Sequence, residues 1–215
     1  VLAMTNKAKG ARGASMFIVD KGTPGFSFGK KENKMGIRAS ATTELIFQDC
    51  RIHKDQLIGR EGLGFITAMK TFDHSRPGIG SQAVGIAQGA LEEAVEFVKN
   101  RHQFGQTVSG FQAVQFMIAD MATKLEAARS LIYATARMID AGNKDFSMAA
   151  AMSKLTASDM AMDVTTDAVQ LMAGSGYMKE YPVEKMMRDA KITQIYEGTN
   201  QIMRQIIGLE VLKKL

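Results

Sequence analysis

Residues 111–139 read FQAVQFMIADMATKLEAARSLIYATARMI. Phe111, Ile118, Leu125, Ile132 and Ile139 recur every seventh residue, and Val114, Met121, Ala128 and Thr135 form a second such series. Two parallel series of this kind are the a and d seams of a long helix that buries one stripe against its neighbours. The helical period extends both ways. Upstream, Val84, Ala87, Leu91, Ala94 and Val98 alternate steps of three and four. Downstream, Ala141-Gly142-Asn143 reads as a helix end. An Ala- and Met-rich helix is then predicted from about Ser147 to Met172, stopped by Gly174 and Gly176. A last amphipathic helix follows Thr199, with Ile202, Ile206, Leu209 and Leu212 on one face. Four long helices with short connections predict an antiparallel four-helix bundle.

Before residue 60 the pattern is different. Val1–Thr5, Ser15–Asp20, Phe26–Phe28 and Glu44–Ile52 are short apolar or alternating runs separated by turn residues such as Lys21-Gly22-Thr23-Pro24-Gly25. They predict an antiparallel sheet or part of a barrel. The expected fold is therefore α+β, mostly α. Part of an antiparallel β-barrel domain (1–57) precedes a C-terminal antiparallel four-helix bundle (58–215). So few residues are thin for an independent barrel, and open strand edges are a liability. The β part is expected to pair with something outside the chain, and a chain that starts at Val1 without an initiator Met reads as a processed or truncated piece.

Composition narrows the function classes. The chain has 215 residues, 46% hydrophobic and 23% charged, which excludes a disordered or collagenous protein. Its 27 Lys and Arg against 22 Asp and Glu leave a charge of +5, but the cations are interspersed with acids and there is no Trp. Nucleic-acid binders concentrate basic residues on one face, so no nucleic-acid partner is expected. No apolar run approaches the ~20 residues of a membrane span. The single cysteine, Cys50, leaves no intrachain disulfide and fits a reducing compartment. A basic chain without its N-terminus fits either a cytoplasmic place in a bacterium or the mitochondrial matrix of a eukaryote. The 16 Met are read as adaptable core filler.

Several chemistries are missing. His53, His74 and His102 show no metal-ligand spacing, and no metal is expected. There is no nucleophile elbow and no P-loop. Gly59, Gly62 and Gly64 have the wrong spacing for a dinucleotide fingerprint and read as a turn between the β and α parts. Two segments carry more. In Tyr196-Glu197-Gly198-Thr199-Asn200-Gln201, Thr199 is a helix N-cap candidate and Gly198 lets backbone approach a ligand. Glu197 there is either a general base or only a charge placed against the helix dipole. In Arg101-His102-Gln103-Phe104-Gly105, placed between two long helices, Arg101 either binds a pyrophosphate with its planar fork or closes a helix C-terminus.

These segments, in this order, resemble the C-terminal part of the acyl-CoA dehydrogenase family, with a short-chain, butyryl-CoA dehydrogenase-like character. The resemblance covers the whole chain. It is carried by Lys34-Met35-Gly36-Ile37-Arg38-Ala39-Ser40, Arg101 to Gly105, Phe111-Gln112, Tyr181-Pro182-Val183-Glu184-Lys185, and Met187 to Lys191 running on to Thr199. It implies a flavoenzyme that converts an acyl-CoA to a trans-2-enoyl-CoA, with Glu197 as the α-proton base and FAD as hydride acceptor. Some members place the base on another helix, and the matching position here is Ser75, which cannot act as a carboxylate base. The resemblance assigns Arg101, Gln103, Phe104, Gln112, Gln170, Gly174, Gly198, Thr199 and Gln201 to the cofactor. It assigns Asp73, Arg76, Tyr196 and Gly198 to the substrate. It further implies a homotetramer, a dimer of dimers, and an electron-transferring flavoprotein as partner. An enoyl-CoA reductase or an acyl-CoA oxidase on the same scaffold, or a non-catalytic assembly module, are the alternatives.

Overall fold

The computed structural model describes residues 1–214 and divides into two compact units. The first comprises Val1–Lys34 and Arg38–Phe72; the second comprises Met35–Ile37 and the chain from Asp73 onward.

In the first unit, β1 (Leu2–Met4), β2 (Ala14–Phe17) and a two-residue strand β5 (Leu57–Ile58) form an antiparallel sheet in the order β1-β2-β5. Leu2 pairs with Met16, and Met16 pairs with Ile58. The strands β3 (Phe26–Lys31) and β4 (Thr43–Phe47) form a separate antiparallel pair. All four predicted strands are present; β5 is too short for a sequence pattern. Ser15, fully buried, ties this unit together: its hydroxyl accepts from the Gly62 N–H at 2.8 Å and bonds the Thr5 hydroxyl at 2.8 Å. Gly62, at φ +80°, and Gly64 make the predicted turn; a Cβ on Gly64 would come within 2.7 Å of the Ser15 backbone. Leu2, Met4, Phe28, Leu45 and Phe47 remain exposed on the two sheets.

A long helix, α1, runs from Gly64 to Asn100. It carries Pro77, which has no N–H to bond the Asp73 carbonyl, so the helical ladder is broken at the Asp73–Arg76 stretch. In the second unit, α1 is followed by a hairpin, β6 (His102–Gln103) and β7 (Gln106–Thr107). Then come α2 (Gln112–Asp140), α3 (Ser147–Leu171), α4 (Ala173–Gly176), α5 (Val183–Ala190) and α6 (Asn200–Lys214). The predicted bundle is formed by α1, α2, α3 and α6. The predicted seams supply its core, with Ala87, Ala94, Val98, Met121 and Ala128 fully buried, while Phe111 and Ile139 at the two ends of the first series are only partly buried and lie outside it. The α2 C-terminus closes as read, with Gly142 at φ +73° and the Asn143 N–H bonded to the Met138 carbonyl at 3.1 Å, a Schellman closure.

The helix α3 packs against α2, α5 and α6 together. It is buried around most of its circumference, and its alanines at 150, 151, 157, 161 and 168 let the neighbours approach closely.

Two expectations need correction, and one helix escaped the sequence pattern. The chain after α3 reverses at Ala173, φ +51°, and Gly174 and Gly176 lie inside the short turn α4. The helix α5 was not anticipated, because eight residues hold too few turns to show a period. On α6 the predicted apolar face does not enter the core of the described chain. Ile202, Leu209 and Leu212 are exposed, and the buried residues are Asn200 and Met203.

The helix α5 explains two of the quoted motifs. Arg188 grips Glu184 with Nε and Nη2, at 2.7 and 2.9 Å, and donates Nη1 to the Met35 carbonyl at 2.7 Å. Asp189, 5% exposed, accepts the Ile37 N–H at 2.6 Å and pairs with Lys185. Gly36 lies between these contacts, where a Cβ would stand 2.5 Å from the Arg188 carbonyl oxygen. Because that obstacle is backbone, Gly36→Ala is expected to destabilise the protein by about 1–3 kcal/mol, as overpacking does; urea denaturation measures it.

Candidate active site

A short connection, residues 195–199, joins a 3-10 turn (Lys191–Gln194) to α6. Two successive residues there have left-handed backbone: Glu197 at φ +53° and Gly198 at φ +104°. Gly198 suits this conformation, and a Cβ on it would meet the Met203 methyl at 2.6 Å. Glu197 has no such exemption. A non-glycine residue held there costs of order 1–3 kcal/mol and persists only where surrounding contacts over-determine it.

Those contacts come from α1 and α3. From α1, the Ser75 hydroxyl donates to Glu197 Oε2. Arg76, 3% exposed, is ion-paired with Asp73, and its Nε points to the Glu197 carbonyl at 3.5 Å. Seven residues on from Ser75, on the same face, Gln82 accepts the Tyr196 phenol proton. Burial lowers the Arg76 guanidinium below its ordinary value, opposed by Asp73 and then Glu197. Burial also raises the Tyr196 phenol, assisted by the Glu197 charge and opposed by the Gln82 bond.

From α3, Lys154 is fully buried and donates to the Gly198 carbonyl at 2.7 Å and to Asn200 Oδ1 at 2.8 Å. The Asn200 amide donates to Ser158 Oγ at 2.9 Å and to Asp159 Oδ1 at 2.7 Å. Asp159 also accepts from Gln194 at 2.7 Å and Arg204 at 2.8 Å. Burial lowers Lys154 to about 8; Asp159 and Glu197 oppose the shift, and Arg76 adds to it. Thr199 caps α6, its hydroxyl accepting the Ile202 N–H at 3.4 Å.

The structure thus brings together Asp73, Arg76, Tyr196, Glu197, Gly198 and Thr199 from the predicted set, with Gln201 on the exposed first turn of α6. The others form a second group. Arg101, Gln103 and Phe104 lie on the β6–β7 hairpin, whose tip is Phe104-Gly105, both with positive φ. This replaces the simple interhelical turn expected there. Phe104 is 91% exposed, its ring edge-on to Phe111 at 6.2 Å. Gln112 opens α2, Gln170 lies in the last turn of α3 and Gly174 lies in α4, all exposed. A cavity of about 330 Å³ lined by Phe97, Arg101, Met172 and Tyr181 joins the hairpin base to the end of α3. Lys154, Ser158, Asp159, Gln194 and Asn200 escaped the sequence reading. The missed signal was register: Ala150, Lys154, Ala157, Ala161, Val164 and Ala168 step by four and three, which puts a lysine in a core seam.

Residues 62–212 match the family model of the acyl-CoA dehydrogenase C-terminal domain, and residues 1–50 match that of its middle domain. A probable acyl-CoA dehydrogenase of Mycobacterium leprae is 57% identical over 99% of this chain and 55% of its own length. The butyryl-CoA dehydrogenase structure from Megasphaera elsdenii superposes with a TM-score of 0.97 at 51% identity, covering 99% of this chain and 55% of the other. A chain in a structure described as the electron-transferring flavoprotein of Acidaminococcus fermentans superposes equally well, at 57% identity, with 99% and 56% covered. The chain spans about half the length of the relatives it matches.

Lys154 has a consequence for stability. It loses its proton near pH 8 when folded, against an ordinary 10.5. Between these values the unfolded chain binds more protons, so this group makes stability rise with pH from about 8 to about 10.5. At about 1.4 kcal/mol per pKa unit the rise is roughly 3 kcal/mol. Chemical denaturation across this range should show it in the wild type and not in Lys154→Met.

Proposed function

The chain belongs to the acyl-CoA dehydrogenase family, and from that footing we propose that it forms the base-bearing part of a flavin-dependent enzyme that dehydrogenates short-chain acyl-CoA thioesters. The observation that carries this reading is the Glu197 carboxylate, held on a strained left-handed turn against Ser75 and above two buried cations, Arg76 and Lys154. Strain of this kind concentrates at functional sites.

The chemistry follows from these residues. An α-C–H beside a thioester is weakly acidic, so the base must be fixed and the developing enolate charge met by donors already in place. Ser75 holds Oε2 of Glu197 and leaves Oε1 to take the α-proton. In the family reading the Glu197 N–H faces the thioester oxygen. The nearby Arg76 and Lys154 charges make negative charge at this turn less costly. Substrate binding would exclude water from the reacting atoms. Asp73, partly exposed, and Tyr196 belong to the substrate side.

The residues present also fit FAD. Arg101 offers a planar fork for a diphosphate, Gln103 and Gln112 offer amide donors and acceptors, and the exposed Phe104 ring offers a stacking surface. Gln170 and Gly174 complete this group; Gly198, Thr199 and Gln201 lie with the base. When bound, FAD supplies the hydride acceptor for the β-carbon. The family resemblance implies that several of these residues reach the cofactor of a neighbouring copy, and the roughly 37 Å that α1 advances from Arg76 to Arg101 supports that reading. A homotetramer built as a dimer of dimers satisfies that geometry. The likeness to the Acidaminococcus chain supports an electron-transferring flavoprotein as the acceptor. Among the described residues no helix is long and apolar enough to cross a membrane.

The test is the visible spectrum, before and after butyryl-CoA, of the purified enzyme of which this chain forms the base-bearing part. Flavin bands that bleach are expected. Glu197→Gln should keep the flavin and lose at least about 10³-fold in kcat. Turnover within a few-fold of wild type would exclude Glu197 as the base.

A further inference from the structure

The base reading leaves the strongest feature of the site unexplained. Lys154 is fully buried in the most enclosed helix of the bundle, at a seam position where its neighbours are Ala150, Ala157 and Ala161. Burying an ammonium is costly, and an apolar side chain of similar volume would fill the space at no such cost. Its two acceptors are the Gly198 carbonyl and the Asn200 side chain.

The same face of α3 fastens both ends of the connection that carries Glu197. Before it, Gln194 bonds Asp159; after it, Asn200 bonds Ser158 and Asp159, and Arg204 bonds Asp159. These contacts fix where the segment begins and ends. They do not fix the two left-handed residues inside it. That contact is made by Lys154 at 2.7 Å to the Gly198 carbonyl, with Arg76 reaching the preceding carbonyl at 3.5 Å.

We propose that Lys154 is a positioning residue for the base: its ammonium holds the Gly198 carbonyl from beneath, keeps the Glu197–Gly198 turn left-handed, and so sets where the Glu197 carboxylate and N–H stand. This rests on Glu197 being the base. Asn200 is the relay, since its Oδ1 fixes the ammonium while its amide is fixed by Ser158 and Asp159. Lys154 touches no substrate atom; it acts through the turn. Displacing a reacting group by about 1 Å can cost about 10²-fold in rate.

The experiment uses the flavin-loaded protein, comparing wild type, Lys154→Met and Glu197→Gln with butyryl-CoA. Lys154→Met should keep its flavin, lose about 10²-fold in kcat and change KM less than threefold. Amide exchange, read by mass spectrometry, should accelerate at least tenfold in peptides covering 195–200 and remain unchanged within α3. A kcat within threefold of wild type, or unchanged exchange at 195–200, overturns the proposal. So does a parallel fall in flavin content and in protection throughout α3 and α6, because Lys154 would then hold the fold. If Lys154→Met does not fold, Lys154→Gln, a shorter neutral donor, carries the same comparison. Activity retained in Glu197→Gln overturns the base assignment alone. The exchange readout needs no turnover and still decides whether Lys154 holds the turn.

Discussion

An ammonium group in a dry interior must be met by oxygens, and the second unit is arranged around that demand. The helix α3 is enclosed by α2, α5 and α6, and small residues line its contacts. A lysine at position 154 of such a helix cannot reach solvent, so the chain has to bring acceptors to it. Two come from the connection into α6. The Gly198 carbonyl and Asn200, the first residue of α6, are both committed to Lys154. Ser158 and Asp159 lie four and five residues further along the same helix and secure Asn200. What looks like a loop is thus attached to the most enclosed helix of the bundle, the kind of support that the proposed base would need.

The contacts at Glu197 come from two sources of different character. The helix α1 meets the side chain, through Ser75, and the carbonyl, through Arg76. The helix α3 meets the backbone beyond it, through Lys154. The break that Pro77 introduces in α1 falls at this stretch, where the Asp73 carbonyl has no helical partner. The arginine is kept charged in a buried place by Asp73, and the carboxylate of Glu197 lies near both cations. Opposite charges gathered at low exposure interact more strongly than at the surface, which compensates the burial of each.

Much of the bundle was legible because heptad and three-four spacing report directly which residues share a helix face. Phe111 to Ile139 and Val84 to Val98 needed no tertiary information. Spacing does not report what covers a face. Ile202, Leu209 and Leu212 have the period of a core stripe and are exposed in the described chain, whereas Asn200, polar by composition, is buried. The helix α5 is too short and too charged to show a period, yet Arg188 and Asp189 make the contacts that hold Met35 and Ile37. At the site, Glu197, Gly198 and Thr199 stood out by residue type and motif. Lys154 did not, because a lone lysine in a helix usually lies on the solvated side. Its register with Ala150 and Ala157 carried the information, and only a seam-by-seam reading would have extracted it.

The Ser75–Glu197 contact puts the two positions that the family resemblance offers for a base side by side. One residue lies on a helix and the other on a connection 122 positions later, yet their side chains meet. A carboxylate at position 75 would reach the space that the Glu197 carboxylate occupies. Carboxylates at both positions would lie in contact, and like charges that close cannot both ionise. The two positions are therefore alternatives: an acid at one calls for a neutral, compact residue at the other. Serine meets that condition and adds a donor that orients the acid. The helix position would give a base fixed by the ladder of α1. On the proposed reading, the connection position would give a base whose backbone could also meet developing charge, and α3 supplies buried contacts to that connection.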